Sequence, residues 1–252
     1  MATWIFLRGL TRESRHWGGF VAQFQAAFPE QHIETLDFVG NGLRNHLASP
    51  LTVQDMVQDC REELARRDLK PPYQVLAMSL GAMVSVAWAQ AYPQELALLV
   101  LINTSLRPFN PFYQRLRPAN YARLLRLLLT NASPQAWERT ILQITSNRRD
   151  PAVLPSWVQL RQDNPVSPAN ALRQLLAAAK FRAQADAPAP PTLLLASAQD
   201  HLVNAACSSA LAQHWQCQLQ LHPQAGHDLP LDDGPWVAEQ VRVWLERLGG
   251  AS

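Results

Sequence analysis

Cysteine is scarce in this chain, with three in 252 residues at Cys60, Cys207 and Cys217. An odd, widely scattered set excludes a disulfide framework. With no Cys-x-x-Cys spacing and no histidine cluster, the set also offers no thiolate or imidazole metal site. Such thiols fit a reducing, cytoplasmic setting. Long apolar runs are missing too. The longest, Leu96 to Ile102, is far too short to span a bilayer. The opening residues Met-Ala-Thr-Trp-Ile-Phe-Leu-Arg lack the basic segment and apolar run of a secretory signal. The expectation is a soluble cytoplasmic protein with no membrane span. Excess charge is likewise small: a net +2 gives no global argument for nucleic acid or a membrane surface. There is no internal repeat, and Ala185 to Pro191 is the one low-complexity stretch.

What the chain does have is enough apolar residue, 48%, for a sizeable core in one large domain or a domain with an inserted subdomain. Short apolar runs at Thr3 to Leu7, Tyr73 to Ala77, Leu98 to Asn103, Thr192 to Ala196 and Gln218 to His222 read as buried parallel strands. His32 to Asp37 is a weaker sixth. Helical patterns at Ser14 to Phe28, Val53 to Asp68, Leu80 to Tyr92, Ala205 to Trp215 and Pro235 to Leu248 separate them. Strand–helix alternation predicts an α/β protein with a doubly wound, mostly parallel six-stranded sheet. Ligands of such sheets bind beyond the carboxyl ends of the strands.

Residues 106–186 break this alternation. They hold no convincing strand and several helix starts, including Ser133-Pro134 and Ser167-Pro168, where a capping serine precedes a proline at the first helical position. The segment reads as a helical cap, with 1–105 and 187–252 forming the core. Charge divides along the same line. The cap carries eleven arginines and one lysine against four acids, a net +8, and the remainder is −6.

The most informative stretch is Met78-Ser79-Leu80-Gly81. A serine between an apolar strand and an apolar helix occupies a sharp turn that exposes its hydroxyl at the positive end of the helix. A serine hydroxyl is a weak nucleophile and needs a base, an orienting acid and an oxyanion site. Asp200 follows the strand Thr192 to Ala196, and His227 follows Gln218 to His222. Both lie at carboxyl ends, on the edge where Ser79 emerges. The usual role of a loop aspartate is a turn, and Asp228, Asp232 and Asp233 compete as the acid, Asp232 being the better candidate for capping the last helix. His16, near the first strand's end, reads as packing beside Trp17.

The order Ser, Asp, His with these placements resembles the α/β-hydrolase superfamily over essentially the whole chain. Asp37-Phe38-Val39-Gly40-Asn41-Gly42, Ser14 and Trp17 resemble further patterns of that family. The resemblance implies Ser79 as nucleophile, His227 as base and Asp200 as the acid that orients it, with backbone N–H groups of Leu80 and Leu10 as the oxyanion donors. It implies a core lacking the first two strands of larger members, and no metal or organic cofactor. The chain departs from the pattern at Ala77, where relatives usually have glycine, and at Arg8-Gly9, where many have His-Gly. Arg8 is expected to place a charge near the site mouth.

The expected activity is cleavage of a carboxylic ester or thioester through an acyl-enzyme. The alternatives are a ligand-binding protein that keeps the fold without turnover, or the same triad used for perhydrolysis or carbon–carbon cleavage. Cap aromatics Phe112, Tyr113, Trp137 and Trp157 are candidates to line an acyl pocket, against the competing reading that they form the cap's own core. Arg115, Arg117, Arg123 and Arg126 are candidates to hold an anionic substrate, an acyl carrier protein or coenzyme A. A layout similar to the small carboxylesterases of biotin synthesis motivates that idea.

Overall fold

The structure, a computed structural model, describes residues 3–130, 132–148 and 150–250. The outermost residues of the two expected core segments, and Asn131 and Arg149 of the expected cap, lie outside the described residues. Six strands, β1 (Thr3–Leu7), β2 (His32–Leu36), β3 (Tyr73–Met78), β4 (Leu96–Ile102), β5 (Thr192–Ser197) and β6 (Gln218–His222), form one sheet in the order β2-β1-β3-β4-β5-β6. Every neighbouring pair is parallel.

The flanking helices are α1 (Phe20–Ala27), α2 (Val53–Arg66) and α3 (Leu80–Ala91). Between β4 and β5 come α4 (Phe112–Arg115), α5 (Tyr121–Leu129), α6 (Pro134–Thr145), α7 (Val153–Asp163) and α8 (Pro168–Lys180). Last come α9 (Ala206–Trp215) and α10 (Leu229–Gly249). Alternate strand residues serve opposite faces. Ile5, Leu7, Val75, Ala77, Leu99 and Leu101 pack with α2, α3 and α9. Trp4, Phe6, Leu76, Met78, Val100 and Ile102 pack with α1 and α10. Burial on both faces is why these strands read as continuous apolar runs rather than as alternating ones.

From β1 the chain moves outward to β2, then returns to β3 on the other side of β1. The loops after β1 and β3 therefore meet at the point where strand order reverses, the usual place for a ligand crevice. Gly81 permits that meeting. A Cβ there would lie 2.7 Å from the carbonyl oxygen of Arg8 and closer still to that of Leu7.

Two helices differ from the sequence expectation. Ser14 to Phe28 is not continuous: a 3₁₀ turn at Ser14–Trp17 gives way to α1 through Gly18, whose φ of 54° suits glycine. The last helix begins early, at Leu229, and is interrupted at Asp233, whose carboxylate accepts from Trp236 N at 3.1 Å. Asp233, not Asp232, thus caps the segment after the kink. Ser133 and Ser167 cap α6 and α8, accepting from the N–H groups of Ala136 and Asn170 at 3.2 and 3.1 Å. Among the described residues no helix is long and apolar enough to cross a membrane.

Candidate active site

Ser79 stands in the turn from β3 to α3 with φ 56° and ψ −114°. A non-glycine residue held there costs about 1–3 kcal/mol, so its surroundings must over-determine it. Its N–H donates to Ile102 O at 3.0 Å on β4, and its carbonyl accepts from Met83 N at 3.2 Å in α3. Buried residues follow without a break from Leu80 to Ala89. Ala77, the departure from the usual glycine, is fully buried beside Leu7 and Leu101 on the neighbouring strands. Ser79 and Leu80, the first residue of α3, line a cavity of about 760 Å³, and the first N–H groups of a helix have no helical acceptor. Leu10 and Leu80 line the same cavity, at the ends of the two loops that Gly81 allows to touch.

His227 also lines this cavity. Its Nδ1 lies 2.7 Å from Asp200 Oδ2, and both residues are buried. The other carboxylate oxygen, Oδ1, accepts from Leu202 N and Val203 N at 2.7 and 2.9 Å. Asp200 is therefore a turn former and a histidine partner at once. A carboxylate only accepts, so Nδ1 carries a proton, which in the neutral imidazole leaves the lone pair on Nε2. Asn103, at the end of β4, fixes the histidine loop: its Nδ2 donates to His227 O at 2.8 Å and its Oδ1 accepts from Ser197 N at 2.8 Å. Sequence reasoning did not single out Asn103. Its place at a strand's carboxyl end was the available signal.

Arg8 is not at the mouth. Its side chain is 2% exposed and forms a two-pronged pair with Asp228, at 3.0 and 2.6 Å, whose side chain is 3% exposed. The guanidinium also lies 4.7 Å from the centre of the Trp17 ring and 3.4 Å from Met78 Sδ. It therefore touches the neighbours of Ser79 and His227 while standing two residues before Leu10. Asp228, a competitor for the triad acid, is thereby occupied. Asp232 instead ties the histidine loop to the end of α6, accepting from Gly226 N at 2.6 Å and Asn147 N at 2.9 Å.

A second buried cluster joins the loop after β1 to the helical cap. Arg12 pairs with Glu138 at 2.6 Å, lies 4.2 Å from the centre of the Trp157 ring, and reaches His16 Nε2 at 2.9 Å. Arg161 adds a second contact to Glu138 at 3.4 Å and stacks over Trp137. Burial, with the charges of Arg12 and Arg8, pushes the His16 pKa well below the usual histidine value. Gln174 of α8 completes the link, accepting from Thr11 N at 2.8 Å and donating to Asn41 Oδ1 at 2.7 Å.

The cap residues expected to meet substrate divide accordingly. Phe112 and Arg115 line the cavity. Trp137 and Trp157 do not; they are consumed by the buried cluster, where each covers an arginine. Tyr113 is half exposed against the edge of Phe112. Arg117, Arg123 and Arg126 also lie off the cavity wall, and Arg123 and Arg126 are exposed on α5. Arg107 and Arg182, which sequence reasoning passed over, do line it. Their signal was position, at the two places where the chain enters and leaves the cap. The Asp37 loop binds Ser14, whose N–H and Oγ both donate to Asp37 Oδ1 at 2.6 Å.

Burial pushes the Cys207 thiol up to about 12 and Cys217 up to about 11, so neither supplies a thiolate near neutrality. Among the described residues no cluster of three or more His, Cys, Asp or Glu could hold a metal ion.

Comparison with known proteins agrees with the fold. No curated protein sequence matches this chain. A thermophilic esterase from Thermogutta terrifontis superposes with a TM-score of 0.78 at 21% identity, covering 98% of this chain and 90% of the esterase. The enol-lactonase from Burkholderia xenovorans LB400 gives 0.80 at 16% identity, covering 97% and 91%. A hydrolase from Pseudomonas aeruginosa PA01 gives 0.74 at 18%, covering 97% and 89%. Residues 2–234 match the family described as serine aminopeptidase, S33, and the chain therefore belongs to that family of hydrolases within the α/β-hydrolase superfamily.

Proposed function

We propose that this protein is a serine hydrolase that cleaves a carboxylic ester or thioester through an acyl-enzyme on Ser79, with residues 1–105 and 187–252 as its catalytic core and 106–186 as its cap. The observation that carries the reading is the 2.7 Å contact of His227 Nδ1 with the doubly anchored Asp200 carboxylate, with Ser79 held in a strained turn on the same cavity.

The chemistry follows from these groups. Ser79 Oγ attacks the substrate carbonyl carbon as its proton passes to His227 Nε2. Asp200 keeps the ring oriented and stabilises the imidazolium that forms. The N–H groups of Leu80 and Leu10 receive the oxyanion, commonly the largest single contribution to such catalysis. The tetrahedral intermediate collapses as the imidazolium protonates the departing alcohol or thiol. Water then enters, loses its proton to His227 and attacks the acyl carbon, releasing the acid and restoring Ser79. The cavity's apolar walls, among them Met83, Ile141, Ile144, Leu175 and Val203, suit an aliphatic chain.

The test is turnover of nitrophenyl esters and acyl thioesters by the wild type and by Ser79→Ala and His227→Ala. Loss of turnover in both variants supports the reading. Turnover that survives Ser79→Ala contradicts it.

A further inference from the structure

Three cationic side chains on the cavity wall, Arg107, Arg115 and Arg182, take no part in the chemistry above. None of them pairs with a carboxylate among the described residues. The cap's own acids are committed elsewhere: Glu138 to Arg12 and Arg161, Asp163 to Arg15, and Asp150 to Arg148. The fourth, Asp186, lies in the return linker and forms no ion pair among the described residues. The two other arginines on the wall, Arg8 and Arg12, are neutralised by Asp228 and Glu138. The residual charge of the cavity is therefore concentrated on these three.

They are also gathered in one place. Arg107 and Arg182 face each other in an isolated parallel bridge where the chain enters and leaves the cap, and Ala183 N donates to Arg107 O at 2.8 Å. Arg107 Nη1 donates to Ala179 O at 3.2 Å, and Arg115 Nη2 to Ala178 O at 2.8 Å. Two guanidinium groups thus hang from successive carbonyls in the last turn of α8. Cations at a helix C-terminus are favourable in their own right. That accounts for one N–H of each group, out of the five that a guanidinium carries. It leaves the buried Arg115 Nε without an acceptor. Desolvation, with Arg107's charge beside it, lowers the Arg115 pKa from the usual arginine value, which marks a charge short of a counter-ion.

We infer that Arg107, Arg115 and Arg182 form a subsite for an anionic group, a carboxylate or a phosphate, carried by the ester or thioester substrate. The inference rests on the hydrolase reading of Ser79 for its substrate, and it narrows that substrate. One part of the molecule is aliphatic and lies along the apolar wall. The reacting carbonyl meets Ser79, and the anion accepts forked hydrogen bonds from the guanidinium groups. Arg115 carries most of the effect, because Arg107 and Arg182 are exposed and their charges are screened by salt.

The experiment compares matched nitrophenyl esters over a homologous series of chain lengths, one set ending in a methyl group, one in a carboxylate and one in a phosphate. The wild type is expected to favour an anion-ended ester at one length. Arg115→Gln is expected to cut the ratio of kcat/KM for the anionic over the neutral ester by about tenfold or more, as loss of a charge-assisted hydrogen bond requires. Arg182→Gln lowers the same ratio by less, and Arg126→Gln, off the cavity, leaves it unchanged. The set with the larger arginine-dependent gain identifies the anion. A ratio unaffected by both Arg115→Gln and Arg182→Gln overturns the inference while leaving the hydrolase reading intact. If no ester is turned over, that reading fails. The subsite is then tested alone by calorimetric titration of an alkanoate and the dicarboxylate of equal length. Tighter, Arg115-dependent binding of the dicarboxylate supports it, and equal binding refutes it.

Discussion

The Arg8–Asp228 pair joins the loop after β1 to the loop that carries His227, and its removal has a calculable consequence. The two side chains are 2% and 3% exposed and joined by contacts of 3.0 and 2.6 Å. Removing one partner leaves the other charge buried without compensation, which costs about 3–5 kcal/mol. Arg8→Met and Asp228→Asn are each expected to lower the unfolding free energy by that amount. Removing both charges, in Arg8→Met/Asp228→Asn, should cost less than the sum of the two single variants, with a coupling on the order of 2 kcal/mol. Arg8→Lys keeps the charge but not the fork, and should recover only part of the loss. Urea denaturation measures these values, with the midpoint moving at constant slope. Because Arg8 contacts Met78 beside Ser79, and Asp228 follows His227, the single variants should also lose about 10²-fold in kcat/KM, as a displacement near 1 Å produces. Single-variant stabilities within about 0.5 kcal/mol of wild type, or strict additivity in the double variant, would show that the two buried charges do not depend on each other.

Other outcomes follow from the same geometry. Gly81→Ala should cost about 3 kcal/mol or more, because its Cβ meets the fixed carbonyls of Leu7 and Arg8. Ala77→Gly should cost only about 1 kcal/mol, and thermal melts compare the two. His16 resists protonation when folded, whereas in the unfolded chain it takes a proton near pH 6.5. Its contribution to stability is therefore complete above that pH and falls by about 1.4 kcal/mol per unit below it. His16→Gln should show a shallower acid loss in urea midpoints measured across pH. Asp200→Asn should keep the fold, since an amide oxygen can still accept from Leu202 and Val203, yet lose about 10⁴-fold in kcat by favouring the wrong imidazole tautomer; circular dichroism and ester kinetics together check this.

The four central strands were legible because both faces of the sheet are buried there, which writes each one as a short apolar run; the edge strands β2 and β6 are only partly buried and carry polar residues. The placement of Ser79, Asp200 and His227 at strand ends followed from the same pattern. What the sequence hid was set by packing between distant segments. Arg8 looked like a charge at the site mouth because its partner, Asp228, lies 220 residues further on. Trp137 and Trp157 could have lined a pocket or filled a core, and helical spacing does not distinguish these. Arginines at the right height, Arg161 and Arg12, took them into the core. The cap's arginine excess was plain from composition. Which arginines reach the cavity depended on where the cap's ends attach, and that favoured Arg107 and Arg182 over Arg123 and Arg126.

The proposed activity requires Ser79 to be an activated nucleophile. It is tested most directly by exposing the wild-type protein to a fluorophosphonate and locating the adduct by mass spectrometry. One covalent adduct per chain is expected, on Ser79, absent from Ser79→Ala and formed far more slowly in His227→Ala. A wild-type protein that remains unlabelled, or a label that persists in Ser79→Ala, would contradict it.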